Sequence, residues 1–159
     1  MSTPAHIWFT DENGSPVVGG CLMSGRLGSI ELKSVTHNVS IPVDPNWGKL
    51  TGTRVHTPIV MQKDFDQTTP ILFRALCEGR TFRTATIRMY RILDAGVETE
   101  YFNIHLDNVK ITSISPYLHP NGVTSTHLEN IEIRYEAITW KYTEGNIIYR
   151  DTWNQRITA

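Results

Sequence analysis

The chain has 159 residues, 40% hydrophobic and 19% charged, with a formal net charge of −1 and a pI near 6.6. That length suits one domain, residues 1–159, able to bury roughly 70% of its unfolded surface. The charge balance gives no electrostatic footprint for nucleic acid or an anionic membrane, and no run approaches the roughly 18 apolar residues of a membrane span.

Two cysteines, Cys21 and Cys77, cannot build a disulfide framework. Cys77 falls in a predicted helix and is expected to be a small buried apolar residue. The first residues, Met1 to Gly14, have neither a basic start nor an apolar run of signal-peptide length. The expectation is synthesis in the cytoplasm, with any export using a route that reads no cleavable signal.

His6-Ile7-Trp8-Phe9 reads as a first strand, ended by the turn signal Asp11-Glu12-Asn13-Gly14. After the glycines at 19, 20, 25 and 28, an extended stretch runs from Ser29 to Val43. Pro42, Pro45, Gly48 and Gly52 mark a loop, Asp44–Thr53, longer than compact domains favour, which points to work outside its own core. Trp47 lies at its middle.

Arg54 to Asp64 is the next expected strand. The spacing then predicts a helix over about 69–79, with Thr69 as N-cap, Pro70 at N1 and Gly79 as the stop. Ile71, Leu72, Ala75 and Leu76 form its apolar face. At that length the helix must dock on a sheet to be stable.

Beyond it, Ala85, Ile87 and Met89 alternate with polar residues, and Asp94-Ala95-Gly96 predicts a hairpin turn. Phe102, Ile104 and Leu106 share a face, whereas Val109 and Ile111 continue on the opposite phase. The phase flips again between Ile131/Ile133/Tyr135 and Ile138/Trp140/Tyr142, as bulges in bent strands produce. Glu144-Gly145-Asn146 turns into a last strand, Ile147 to Trp153. The fold class is mainly β: a small antiparallel β-barrel with one short flanking helix and an extended loop, 44–53.

Catalytic and metal chemistry find little support. Asp64-Phe65-Asp66-Gln67-Thr68 matches the D-x-D-x-T nucleophile motif of haloacid-dehalogenase-type phosphatases. Gln62 and Lys63 precede it where that chemistry needs a buried apolar strand, and the parallel α/β pattern is missing. Asp66 is expected to be a solvated loop residue near the helix N-terminus. The histidines at 6, 37, 56, 105, 119 and 127 include no i, i+2 or i+4 pair, although His119 and His127 flank one loop and could converge. The glycines form neither G-x-G-x-x-G nor a P-loop, and no G-x-S-x-G elbow occurs. The expectation is no enzyme, no cofactor and no metal.

Ser29-Ile30-Glu31-Leu32, Asn38-Val39-Ser40-Ile41-Pro42, the run from Gly48 to Pro58, and Thr69-Pro70 with Leu72, Ala75, Leu76 and Gly79 form an ordered set. Glu100-Tyr101-Phe102-Asn103, Leu128 to Trp140 and Trp153-Asn154 extend it over essentially the whole chain. In this order the motifs resemble the haemolysin-coregulated protein (Hcp) family of type VI secretion inner-tube subunits.

The resemblance implies hexameric rings that stack into a tube within a contractile sheath. The tube leaves the cell behind a spike-tip protein, and small secreted effectors ride in the lumen. The partners implied are therefore the chain itself, the spike, the sheath and effectors, with no nucleic acid and no membrane insertion. An ending just after Trp153 is expected to leave no room for a fused toxic domain.

The long loop is the candidate stacking or oligomer interface, through Asp44, Asn46, Trp47, Lys49, Leu50 and Arg54. Thr36 and Asn38, on the polar face of the 33–41 segment with Ser40, are the candidate lumen-facing residues. The rival classes are a monomeric β-barrel ligand-binding module, which needs an apolar internal pocket, and an antiparallel-barrel hydrolase, which needs a clustered acid, base or nucleophile.

Overall fold

The computed structural model describes residues 3–118 and 127–152. Strand β1 (Ala5–Thr10) carries the first apolar run and turns through Asp11–Gly14 into β2 (Pro16–Val17). Asp11 Oδ1 accepts the backbone N–H groups of Asn13 and Ser15, each at 2.9 Å, which closes that turn. Gly19 then allows a close approach that any side chain would prevent. A Cβ there would stand 2.4 Å from the carbonyl oxygen of Ser29.

The stretch expected to run extended from Ser29 to Val43 is instead cut into β3 (Ile30–Leu32), β4 (Ser34–Thr36) and β5 (Val39–Ser40). The cuts have a cause: β3 pairs with β1, whereas β4 pairs with β7 (Ile59–Asp64). The change of partner falls at Lys33, whose N–H donates to the Gln62 carbonyl at 2.7 Å. β5 leaves the body altogether and pairs with β6 (Val55–His56). The strand expected over Arg54–Asp64 is likewise two, β6 and β7, parted at Thr57-Pro58, where proline has no N–H for a ladder.

β8 (Phe82–Ile92) and β9 (Glu98–Tyr117) make the expected hairpin through Asp94–Gly96. β10 (Leu128–Arg134), β11 (Ala137–Tyr142) and β12 (Ile147–Thr152) follow. The pairings run β1–β8–β9–β10–β7 and return to β1 through the bent segment 30–36, every pair antiparallel. β11 and β12 extend the sheet from the first half of β9.

The phase change in β9 is a corner. Leu106 and Val109 are both fully buried, and Asn108 between them takes φ +52°. Up to Asp107 the strand pairs with β11, and from Lys110 with β10. The second predicted flip is a break between strands rather than a bulge: β10 ends at Arg134 and β11 begins at Ala137. Bulges do occur nearby, as register shifts at Met89/Tyr90 and Glu132/Ile133.

Inside this circuit Ile7, Phe9, Ile59, Met61, Ile87, Leu106, Ile131 and Ile133 are no more than 2% exposed. Helix α1 (Thr69–Glu78) packs against β9 through Leu72 and Ala75. Gly79 ends it in the left-handed region at φ +67°, and the Arg80 N–H returns to the Ala75 carbonyl. Thr68, not Thr69, occupies the N-cap position, so Pro70 falls one residue further in than expected. Cys77 is exposed, against expectation. It lies two positions beyond Ala75, about 200° round the helix from the buried face.

Asp66 is also not a solvated residue. Its Oδ1 accepts the Thr68 N–H at 2.9 Å and pairs with Lys63 Nζ at 2.9 Å. These hydrogen bonds hold its carboxyl below the usual carboxylate range, against a burial effect that by itself would raise it. Lys63 follows the inward alternation of β7 and faces Glu129 directly across the ladder. The two form an ion pair with side chains 1% and 0% exposed. Thr69 Oγ1 donates to Glu129 and accepts from the Asp66 N–H, tying the helix start to this pair.

A lone buried charge costs far more than a replaced pair. Lys63→Met should therefore lose about 3–5 kcal/mol of unfolding free energy, and Lys63→Met with Glu129→Leu should recover most of it. Urea unfolding of both variants checks this; equal losses would mean the pair is not the source.

Candidate functional site

The predicted loop is the outer half of a longer two-stranded arm. Its base is the β5–β6 pairing, Val39 opposite His56 and Ser40 opposite Val55. Further out, Thr51 N–H donates to the Pro42 carbonyl at 2.8 Å, and Val43 bridges to Leu50. At the tip Asp44 N–H donates to the Lys49 carbonyl, and Asp44 Oδ1 accepts the Asn46 N–H. Gly48 takes φ +66° to complete the turn, a conformation its lack of a Cβ makes inexpensive.

This arm carries an apolar surface that its own body does not cover. Trp47 is 78% exposed and Leu50 66%, and Val39, Ile41, Val43 and Val55 are exposed with them. Six exposed apolar side chains on one projecting hairpin form the kind of patch that contact surfaces carry. Trp47 does not fold back on the barrel.

Of the residues singled out in the loop, Asp44 shapes the turn, while Asn46, Trp47, Lys49 and Leu50 sit on the exposed outer half. Arg54 sits elsewhere. It reaches back from the base of the arm to Asp151 on β12, Nε to Oδ2 at 2.5 Å and Nη2 to Oδ1 at 2.6 Å. Thr36 and Asn38 are both exposed, and the Asn38 backbone bonds Thr57 on the partner strand.

The base of the arm holds a cluster that spacing along the chain did not reveal. His56 Nε2 lies 2.7 Å from Asp151 Oδ2, and His56 Nδ1 lies 2.6 Å from the Tyr135 hydroxyl. Tyr135 in turn meets His37 Nε2 at 2.7 Å. His56 is stacked on Trp140, and Trp140 on Tyr149. The partners are 79 to 98 residues apart in sequence, so no local motif signals them. Hydrogen bonds from Arg54, and then from His56, hold the Asp151 carboxyl below its ordinary range. Burial, and then the charge of His56, push the His37 imidazole down.

A second apolar surface lies on β12, where Ile147, Ile148 and Tyr149 are exposed. Among the described residues no cluster of three or more His, Cys, Asp or Glu is placed to hold a metal, and no helix is long and apolar enough to cross a membrane. His119 and the Trp153-Asn154 ending lie outside the described residues.

The family model described as type VI secretion system effector, Hcp, matches residues 7–142. The chain is 30% identical to the major exported protein of Pseudomonas aeruginosa over the full length of both. A solved structure of a mutant Hcp1 protein from the E. coli EAEC 042 pathovar superposes with a TM-score of 0.88 at 43% identity, over 96% of this chain and 99% of that one. The secreted protein Hcp3 of Pseudomonas aeruginosa superposes with a TM-score of 0.80 at 27% identity, over 97% and 100%. On the family match and the full-length relative together, the chain belongs to the Hcp family of type VI secretion proteins.

Proposed function

We propose that this chain, acting as a single domain, is a structural subunit of the type VI inner tube rather than an enzyme. Six copies close into a ring, rings stack into a tube within the contractile sheath, and the tube leaves the cell behind a spike-tip protein. Small effectors ride in the lumen. The observation that carries this reading is the arm: a hydrogen-bonded hairpin whose outer half is apolar and exposed. Such a surface suits a second copy of the same chain, since a head-to-tail contact that closes makes a ring and one that repeats along an axis makes a filament.

The name of the Pseudomonas aeruginosa relative, a major exported protein, supports export. The filled interior weighs against a ligand-binding barrel, because a central ligand would have to displace Ile7, Ile87, Leu106 and Ile131. Thr36 and Asn38 are small, polar and exposed, and on this reading they line the water-filled channel.

Native mass spectrometry tests the assembly. The parent should give a species of about 109 kDa, six copies of the 18.1 kDa chain, as a closed heterologous ring requires. Trp47→Ala with Leu50→Ala should shift it to monomer at the same concentration, with unfolding free energy changed by less than about 1 kcal/mol because both side chains are already exposed. A variant that still assembles like the parent would remove the arm from the interface.

Thr36→Trp with Asn38→Trp should leave rings intact but exclude effectors, read as loss of copurified cargo. Unchanged cargo recovery would place the lumen on another face.

A further inference from the structure

Between Gly20 and Gly28 the chain makes a loop in which Arg26 is the single buried residue. Leu22, Met23 and Leu27 on the same loop are exposed. Arg26 N–H donates to the Met23 carbonyl at 3.0 Å, Gly28 N–H to Cys21 at 3.1 Å and Ser29 N–H to Arg26 at 3.1 Å, so the loop is folded on itself. The Arg26 side chain then reaches three strands at once. Its Nη1 lies 3.4 Å from His6 Nε2 on β1, and its Nη2 pairs with Glu98 Oε2 at the start of β9. Its guanidinium carbon stands 3.8 Å from the centre of the Tyr90 ring on β8.

A guanidinium only donates, so His6 Nε2 accepts from Arg26. The neutral imidazole therefore carries its proton on Nδ1, which donates to Ser29 Oγ at 2.9 Å. Both ring nitrogens are answered, in a side chain only 1% exposed. An added proton has one place to go, Nε2. There it turns the acceptor into a donor facing Nη1 and sets a second cation beside the first in a buried site.

We propose that His6 and Arg26 form an acid-released latch: neutral His6 holds the Arg26 side chain, and with it the 20–28 loop, against the barrel, and protonation of His6 releases both. The part that moves carries Leu22, Met23 and Leu27, so release changes how an apolar surface is presented.

The charged groups around His6 come from every element beside it. Glu31 is its partner on β3 and Arg88 its partner on β8, with the Tyr90 ring edge-on at 5.8 Å. β2 brings only Pro16 and Val17. Arg88 is drawn away, its guanidinium 4.7 Å over the Trp8 ring and 3.9 Å from Glu100. Glu31 is exposed, and Glu98 is engaged by Arg26.

The sign agrees with this geometry. Burial first, and then the Arg26 charge, hold the His6 imidazole below its ordinary value, against the opposing pull of Glu31 and Glu98. The latched state thus prefers neutral His6. Its contribution is complete above the ordinary imidazole range and is lost as pH falls through that range towards the depressed value. His37 is lowered in the same direction, so acid also acts at the base of the arm, and the loop is compared with the core strands rather than with the arm.

The latch is independent of the proposed assembly. Amide hydrogen exchange of the full chain at about pH 7.5 and about pH 5, corrected for intrinsic rates, brackets imidazole titration. Protection at Arg26, Gly28 and Ser29 should fall relative to Ile87 and Leu106 by up to about tenfold per pH unit, the slope that one proton gives.

His6→Gln keeps an amide oxygen able to face Arg26 but cannot titrate, and its loop should lose the pH dependence. Arg26→Met removes the second cation. Its loop should be poorly protected at both pH values, and the His6 midpoint followed by NMR should rise towards the ordinary value. A parent loop that exchanges alike at both pH values would overturn the proposal, as would parallel loss in β8–β9 or a parent-like fall in His6→Gln. Should His6→Gln fail to fold, the NMR titration decides: a His6 midpoint unmoved by Arg26→Met would also overturn it.

Discussion

The Asp151 carboxylate is the point at which the arm and the barrel become one object. The arm shares almost none of its side chains with the core, and its outer half is exposed along both strands. Backbone pairing at Val39–His56 and Ser40–Val55 gives it shape but not direction. Direction comes from Arg54, just before β6, and His56 on β6, which converge on one buried acid of β12. Because β12 is held by β11, and β11 by the first half of β9, the arm is aligned to the strand that makes the corner of the barrel. In this arrangement Trp47 stands away from its own body, 78% exposed.

A second constraint concerns what the barrel has left to offer. Its circuit is closed by a segment that changes partner at Lys33, and β9 changes partner at Asn108. These bends bring the inward faces of the strands together tightly enough that the large core side chains have essentially no exposure. Burying a Lys63–Glu129 pair in such an interior is costly, and Asp66 and Thr69 offset part of that cost by bonding Lys63 Nζ and Glu129 Oε1, while Glu129 Oε2 stays buried without a hydrogen bond. With the inside filled, the contacts proposed for the chain fall to its outside, where the arm and the β12 face are apolar and exposed and Thr36 and Asn38 are polar and exposed.

What the sequence made legible follows the range of the interactions concerned. Turns and helix ends depend on a few adjacent residues, and Asp11–Gly14, Asp94–Gly96 and Gly79 were readable for that reason. Strand faces were readable where burial alternates, as at Ala85 and Ile87 in β8 and Ile131 and Ile133 in β10, but not past the register shift at Met89/Tyr90, where Tyr90 turns inward. Boundaries failed where a strand changes neighbours. The stretch 29–43 and the stretch 54–64 look continuous because a partner change at Lys33, or departure from the body after His37, leaves no mark in composition. The inward-pointing Lys63 was hidden because its partner lies 66 residues away. Tyr135 and Asp151 were equally invisible as partners of His56. The long loop and Trp47 were visible as a candidate site, but the loop begins earlier than its proline and glycine signals suggest, since Val39 and Val55 already belong to the arm.

If the arm is the contact between copies, as proposed, its energetics favour a closed ring over a pair. A tryptophan side chain covers roughly 150–250 Å², which at about 25 cal/mol per Å² is worth roughly 4–6 kcal/mol when fully buried. Losing the freedom of a whole subunit costs an estimated 4–15 kcal/mol. One arm docked on one neighbour therefore leaves little surplus, and a dimer held by that contact alone would be weak. In a closed head-to-tail ring the last subunit to join makes two contacts, its own arm on one neighbour and the other neighbour's arm on itself, for a single loss of freedom. Closure then supplies stability that no individual contact has. It also makes assembly sensitive to small changes at the base of the arm, because an arm that loses its direction weakens one contact in every copy of the ring at once.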